Sequence, residues 1–489
     1  MRGCRHSICA CLVGTWVASC LVGRAPGVSA SAAQPATAFQ DRTAALGLKL
    51  QPDSACWVEI DNDGWGDLCA SGAVWKNNAG KSFTKIAEIG PCVAADFDND
   101  GFVDLFCWSS LRLYRNQAGK GFVEVALPKL PKCVSRGACW GDFNGDGYVD
   151  LYIGGYEDWD ADITYPSMIL LNDRGKSFHL AWSEARYRAR GVTACDFNED
   201  GHVDVYVSNY RLQPNLLWLG DGTGRFRNVA AEYNAEATFA GFAGGHSIGA
   251  CWGDFDNDGH FDLFAGNFAH VDHRGDQPKS RFLRNLGPSK NYHFQDMGTC
   301  GVYYQESYAT PAAGDYDNDG RLDLFFTTVY GIASFGKKNY PVLYRQESPF
   351  VFSDATASAG LAQLSPTSQA AWADFNNDGH LDLVTGGKVL VHRGTANHWL
   401  KVRLEGDGRI VNRSAIGTQV RLRLGDQTLT RQVEAGTGEG NQNDLTLHFG
   451  LGSHGTPVPL EIFWPNASRQ VVGNVLPDRT MSIRFGKSP

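Results

Sequence analysis

Apolar residues in this chain come in short bursts, and a recurring polar cluster sets the bursts apart. "DFDNDGFVDLF", residues 96–106, is one instance: four aspartates and an asparagine, then Val103, Leu105 and Phe106. The cluster returns seven times, as "EIDNDGWGDL" from Glu59, "DFDNDGFVDL" from Asp96, "DFNGDGYVDL" from Asp142, "DFNEDGHVDV" from Asp196, "DFDNDGHFDL" from Asp254, "DYDNDGRLDL" from Asp315 and "DFNNDGHLDL" from Asp374. Successive starts are 37, 46, 54, 58, 61 and 59 residues apart. Between clusters runs a second pattern, as in "LYRNQAGKGFVEVA" (113–126) and "ILLNDRGKSFHLA" (169–181): an apolar strand, a glycine-rich turn, and a strand that begins at phenylalanine. Each repeat thus predicts four short strands, two flanking the acidic loop and two flanking the glycine turn. Four-stranded units at this period predict an all-β fold, a seven-bladed β-propeller over residues 38–396.

A ring needs closing. The seventh repeat has "KVLVHRG" (388–394) but lacks its phenylalanine strand, and "FQDRTAALGL" (39–48) aligns with "FSDATASAGL" (352–361). Residues 38–48 are therefore expected to supply the outer strand of the last blade, which removes the open edges of a linear array. From Asn397 the acidic cluster stops. "HWLKVRLEG", "GTQVRLRLG", "LTLHFGLG" and "PLEIFWP" predict a further small β domain over 397–489.

The cluster has the chemistry of a cation site. Carboxylates at positions 1, 3 and 5 can converge in a tight loop, glycine at position 6 permits the turn, and an aspartate at position 9 closes the cage. Hard oxygen donors in a flexible loop favour Ca²⁺ over Mg²⁺, and the lack of sulfur or imidazole disfavours zinc and copper. An EF-hand would need Glu at position 12 and two helices, whereas here a strand starts at position 9. The expected metal ligands are Glu59, Asp61, Asp63 and Asp67; Asp96, Asp98, Asp100 and Asp104; Asp142, Asn144, Asp146 and Asp150; Asp196, Asn198, Asp200 and Asp204; Asp254, Asp256, Asp258 and Asp262; Asp315, Asp317, Asp319 and Asp323; and Asp374, Asn376, Asp378 and Asp382. Up to seven Ca²⁺ are expected, with the Glu59 loop weakest and the three loops with Asn at position 3 weaker than the rest. An affinity of about 10⁻⁴–10⁻³ M serves outside a cell.

Composition agrees with a packed, non-membrane chain: 43% hydrophobic, 20% charged, 57 glycines among 489 residues. Arg2 and Arg5 precede an apolar run from Ile8 to Gly23, and Ala30-Ser31-Ala32 fits a cleavage site. Residues 1–32 thus predict a signal peptide and a secreted, periplasmic or cell-surface protein. A second reading places a lipid anchor on Cys20, within "VASC"; the Ala-Ser-Ala pattern favours the first. No later stretch reads as a transmembrane span. Loss of Arg2, Arg5 and Arg24 takes the net charge from −9 to −12, which disfavours nucleic acid and anionic lipid as partners.

The seven loops with their "LYRN…GxF" hairpins resemble FG-GAP/VCBS repeats, the blades of integrin-α-type propellers. The tail "NHWLKVRLEG…NRSAIGTQVRLRLG…QNDLTLHFGLG…LEIFWPNA" (397–467) resembles the ASPIC/UnbV domain, and the combination resembles the cartilage acidic protein family. The resemblance implies calcium binding and interaction with an extracellular protein or glycan. "GEGNQNDL" (438–445) departs from the family pattern at that place. The alternative is a carbohydrate-active enzyme, a lyase, dehydratase or hydrolase, with its site in the propeller channel; the chain offers only scattered His and Arg for it, and propellers host both kinds of function. Cys56 and Cys69, and Cys92 and Cys107, stand symmetrically about their loops and are expected to form cross-strand disulfides or to remain buried thiols. Trp57, Trp140, Trp252 and Trp372, each two residues before a loop, are expected to pack between blades. His202, His260 and His380 at position 7 are expected to point to solvent.

Overall fold

The computed structural model describes residues 37–239, 241–272 and 275–487. The expected signal peptide and Cys20 lie outside these residues. Thr37 to Pro489 form one compact unit. Among the described residues the only helical elements are two short 3₁₀ turns, Pro288–Lys290 and Ser334–Gly336, and no helix is long and apolar enough to cross a membrane.

Each acidic loop joins the first two strands of a four-stranded antiparallel sheet, and among the described residues there are seven such sheets. Sheet two is typical: Cys92–Ala95, Asp104–Cys107, Arg112–Asn116 and Phe122–Val125, paired in sequence order. First and second strands are apolar on both faces because every sheet is covered on both sides by its neighbours. The last strand is largely exposed, as in Phe83–Glu88, where only Phe83 is buried. The first strand of each sheet lies against the first strand of the next, and Ala371–Ala373 meets both Tyr308–Gly314 and Ala55–Val58. The sheets thus run round a closed circle, a β-propeller.

The outer strand of the seventh sheet is Phe39–Asp41, with Phe39 opposite His392 and Asp41 opposite Leu390. Phe39 is buried against Trp372 and Tyr316. The four tryptophans pack between sheets as expected. Trp57 stacks on Phe375 of the seventh sheet at 5.6 Å, and Trp252 on Phe197 of the fourth at 6.3 Å.

Past Asn397 the chain forms two more sheets. One is ordered Leu447–Gly452, His398–Glu405, Arg479–Arg484, the last pair parallel; the other is ordered Gln427–Gln432, Gln419–Leu424, Val458–Phe463, Arg469–Val475. They rest on the acidic-loop end of the ring. Ser414 accepts the Asp96 N–H at 2.9 Å, Gln419 donates to the Asp196 carbonyl at 2.8 Å, and the Thr430 N–H donates to Asp254 at 3.1 Å.

One stretch of this part enters the ring. The first strands turn their unpaired edges towards the axis, and residues 434–444, "EAGTGEGNQND", satisfy those edges. The Gln442 N–H donates to Ala55 O and its carbonyl accepts the Trp57 N–H. The Gln442 side chain accepts the Ala94 N–H at 2.8 Å and donates to Ala94 O at 3.2 Å. Ala435 O accepts the Trp140 N–H, and Gly438 O the Val192 N–H. Thr437 Oγ1 donates to Ala250 O, Gly438 lies against Thr310, and the Asn443 side chain accepts the Trp372 N–H. All seven sheets are touched. Gly436, at φ 106°, leaves no room for a side chain: a Cβ there would lie 2.3 Å from Ala138 O. The segment that departs from the family pattern is thus an axle. It fills the channel in which the enzyme alternative had placed its site.

Of the two cysteine alternatives the structure shows buried thiols, and one expectation, for the histidines, changes. Cys56 pairs in register with Cys69, and Cys92 with Cys107, but all four are free thiols, as are Cys133, Cys139, Cys195, Cys251 and Cys300. His260 and His380 do not face solvent. His260 Nδ1 meets Glu199 at 2.5 Å, and His380 stacks on His392 at 5.3 Å while its Nε2 accepts the Thr395 N–H.

Candidate metal centre

All seven loops share one backbone. Glycine at position 6 has φ between 84° and 101°, from Gly147 to Gly259, and position 4 is also left-handed in every loop. Asn occupies position 4 in five loops, Gly145 in the third and Glu199 in the fourth, with φ from 56° to 70°. Two left-handed residues in so short a stretch curl the carboxylates of positions 1, 3 and 9 towards one point.

Local amides hold those carboxylates. In the second loop Asp96 accepts the N–H groups of Asp100 at 3.1 Å and Gly101 at 2.7 Å, and Asp100 accepts that of Phe102 at 2.9 Å. Asp104, fully buried, accepts Phe97 N–H and Asn116 N–H, so it ties the loop's start to the third strand. The same bonds recur in loops three to six, and in the seventh all but the one from the position-2 N–H, which leaves Asp382 Oδ2 without a partner. In the first, Glu59 reaches the N–H groups of Asp63 and Gly64 with its longer arm.

Four loops bring three carboxylates together with a donor atom from each lying within 4.8 Å of the others: Glu59, Asp61 and Asp67; Asp96, Asp98 and Asp104; Asp254, Asp256 and Asp262; Asp315, Asp317 and Asp323. The position-5 groups Asp63, Asp100, Asp258 and Asp319 stand outside these triads. In the other three loops Asn144, Asn198 and Asn376 take position 3, and the carboxylates are Asp142, Asp146 and Asp150; Asp196, Asp200 and Asp204; and Asp374, Asp378 and Asp382. Asn198 and Asn376 each donate to their position-5 aspartate at 2.8 Å. The seventh loop is singular: the buried Lys401 ammonium sits on Asp374 Oδ2 at 2.8 Å and on Asn377 Oδ1 at 2.8 Å.

These residues fit a hard cation. Asp61 Oδ1, Asp98 Oδ1 and Asp256 Oδ1 are buried acceptors without a hydrogen-bond partner, as is Asp382 Oδ2. An unsatisfied buried carboxylate oxygen is costly, and a divalent ion supplies what it lacks. Burial, with the neighbouring Asp98 and Asp100, pushes Asp96 up to about 7 against the pull of its amide donors. Burial and Asp200 do the same to Asp196, and burial drives Asp262 well above the usual carboxylate range.

The loops are also wired to one another. The position-4 asparagine donates to the position-6 glycine carbonyl of the next loop: Asn62 to Gly101 at 2.8 Å, Asn99 to Gly147 at 2.9 Å, Asn257 to Gly320 at 3.0 Å, Asn318 to Gly379 at 3.0 Å, and Asn377 back to Gly64 at 2.9 Å. Glu199 reaches His260 of the fifth loop instead, and Gly145 has no side chain to offer. The sequence reading missed this relay, although asparagine at position 4 in five loops was its signal.

The opposite end of the ring, where second and third strands join, carries exposed apolar side chains: Trp159, Tyr330, Ile332 and Phe335. Arg190 lies over the rings of Tyr156 and Tyr210 and pairs with Glu439 at the tip of the axle.

Comparisons with known proteins agree with this architecture. Residues 96–153, 196–265 and 315–385 match FG-GAP-like repeats, and 408–489 match the ASPIC and UnbV family. The chain is 24% identical to cartilage acidic protein 1 of Mus musculus over 385 residues, 73% of this chain and 55% of that one, and 23% identical to that of Homo sapiens over 401 residues, 77% and 56%. It spans about half the length of the curated relatives it matches. Among solved structures, an Agrocybe aegerita lectin specific for non-reducing terminal N-acetylglucosamine aligns at TM-score 0.39 and 14% identity over 64% of this chain and 81% of the lectin. The rhamnogalacturonan lyase YesW aligns at TM-score 0.32 and 12% identity over 88% and 72%. Neither likeness bears on function.

Proposed function

The chain is an FG-GAP-repeat β-propeller carrying an ASPIC and UnbV domain and related to cartilage acidic protein, and from this premise we propose that it is a secreted, calcium-held interaction module for an extracellular protein or glycan. The observation that carries the reading is the set of four carboxylate triads, three of which hold an orphaned buried oxygen. Ca²⁺ would be held by the carboxylates of positions 1, 3 and 9, with up to seven ions in all; the remaining loops offer an asparagine in place of one carboxylate. The ion supplies the positive charge that lets buried aspartates stay ionised; the chain's own amides fix where each oxygen points.

The acidic-loop end is covered by the C-terminal sheets and the axis is filled. The far end, with Trp159, Tyr330, Ile332 and Phe335, is the surface this reading assigns to a partner, since flat exposed aromatic and aliphatic groups suit sugar faces and apolar protein patches. Secretion follows from the N-terminal charge and hydropathy pattern, and a net charge of −12 after cleavage argues against nucleic acid. The test is a thermal melt in millimolar calcium and in EGTA, followed by a glycan array and a protein-interaction screen in calcium with the wild type and Trp159→Ala/Phe335→Ala. Chelation should lower the melting temperature sharply, because the ions bind the folded loops and not the unfolded chain. An unchanged melt sinks the calcium reading. A partner bound equally by the double variant sinks the choice of surface.

A further inference from the structure

The third strand of each sheet passes beside its acidic loop, and its register is fixed by the position-9 aspartate, which accepts an N–H from Asn77, Asn116, Asn172, Gly220, Asn285, Gln346 or His392 in turn. The residue just before that donor differs between sheets in a regular way. Where position 3 of the loop is aspartate it is basic: Lys76, Arg115, Arg284 and Arg345. Where position 3 is asparagine it is apolar: Leu171, Leu219 and Val391. No sheet breaks the pairing.

The contacts explain it. Arg115 Nε lies 2.6 Å from Asp98 Oδ2, Arg284 Nε 2.5 Å from Asp256 Oδ2, and Arg345 Nε 2.7 Å from Asp317 Oδ2, while the Lys76 ammonium sits on Asp61 Oδ2. Every basic group takes the Oδ2 of position 3. Oδ1 is the atom left over, and in Asp61, Asp98 and Asp256 it is buried and without a partner. In the other class Leu171, Leu219 and Val391 pack into apolar clusters beside the loop, and a neutral asparagine oxygen stands in for Oδ1.

We propose that the seven loops are charge-matched cation sites, in which a basic residue on the third strand cancels the extra carboxylate wherever position 3 is aspartate. Four carboxylates against one cation, or three against none, leave three net negative charges in either class. The basic residue is a positioning group: it holds position 3 so that one oxygen alone faces the ion. Asp-type and Asn-type loops then bind Ca²⁺ alike, contrary to the ranking expected from position 3. That count covers the loop and its third-strand residue, and individual loops depart from it where another cation reaches in: Lys401 on Asp374, Arg321 on Asp319, Arg403 on Glu59 at 3.7 Å and Arg174 on Asp146 at 4.0 Å.

The inference rests on the reading that the loops hold a cation, and the test separates the two. Trp65 occupies position 7 of the first loop and is a native sensitiser for bound Tb³⁺. The Tb³⁺ emission that Trp65→Phe abolishes reports that loop, and its displacement by Ca²⁺ gives the loop's calcium midpoint. A unit charge a few ångströms from the ion is worth at least about tenfold in affinity. Asp61→Asn should therefore raise the midpoint about tenfold, Lys76→Leu should lower it about tenfold, and the double variant should return to within about twofold of the wild type. A Lys76→Leu midpoint equal to the wild type's, or a double variant that matches Asp61→Asn alone, overturns charge matching. A wild type with no calcium-displaceable emission overturns the cation reading and this inference with it. Asp317→Asn and Arg345→Leu in the sixth loop, read by the melting shift between calcium and EGTA, give the same ordering independently of whether the Lys76 variant folds.

Discussion

Gln442 offers the sharpest measure of the axle. Its side chain is fully buried, accepts the Ala94 N–H at 2.8 Å and donates to Ala94 O at 3.2 Å, and Ala94 is itself fully buried on the open edge of sheet two. Gln442→Met keeps the length of the side chain and leaves the backbone bonds to Ala55 and Trp57 in place. What it removes is the partner of two buried backbone groups. Each such group left unsatisfied costs about 1–3 kcal/mol, offset in part because a thioether is easier to bury than an amide, so the variant should lose about 2–4 kcal/mol. That is a large fraction of a typical stability of about 5–15 kcal/mol. Urea unfolding in millimolar calcium, followed by tryptophan fluorescence and by far-ultraviolet circular dichroism, gives the shift; the midpoint should fall with little change in slope. Gln427→Met, at an exposed position of the C-terminal sheets, is the control and should stay within about 0.5 kcal/mol of wild type. If Gln442→Met behaves like that control, the axle does not bear on stability. If the ring and the C-terminal sheets melt in two separate transitions, they do not share one cooperative unit.

Other outcomes follow from single groups. Burial pushes Glu434 from 4.5 up to about 7 beside the axis, so its protonated form favours the fold; that contribution is full below pH 4.5 and lost as pH rises through about 7. Glu434→Gln should therefore match the wild type near pH 4.5 and exceed its stability above pH 7, and a difference that does not vary with pH would refute the assignment. Lys401→Met frees Asp374 from its ammonium and should tighten the weakest class of calcium sites seen by calorimetry; an unchanged weak class would show that Lys401 does not compete. Phe39→Ala strips the closing strand of its buried anchor and should cost about 3–5 kcal/mol in the same urea assay, whereas a loss below about 1 kcal/mol would mean that the strand closes the ring without holding it.

Much of this was legible from spacing alone. The short apolar bursts, the seven clusters and the match of residues 39–48 to 352–361 determine the sheets and the strand that closes them, because each depends on local pattern. The axle was not legible. Glycines and short polar side chains in "GTGEGNQND" read as a surface loop, and only the ring around them supplies the edges that their amides satisfy. The pairing of Lys76, Arg115, Arg284 and Arg345 with position 3 was present in the sequence, but the partners stand 15 to 28 residues apart, beyond the reach of a motif. His260 and His380 were misplaced for a related reason: backbone spacing put them at position 7, but Glu199 from the preceding sheet and His392 from the same sheet draw the rings inward.

The asparagine relay makes the ring's loops neighbours in an energetic sense. A loop that loses its ion loosens the amide whose hydrogen the following glycine carbonyl accepts, so vacancies should gather side by side instead of scattering at random. Gly145 interrupts the succession between the third and fourth loops, which turns an endless circuit into a string with a beginning and an end. Depletion of calcium should then advance along that string as a front, and Gly145→Asn, which supplies the missing link at a backbone angle asparagine accepts, should make the loss of ions more abrupt.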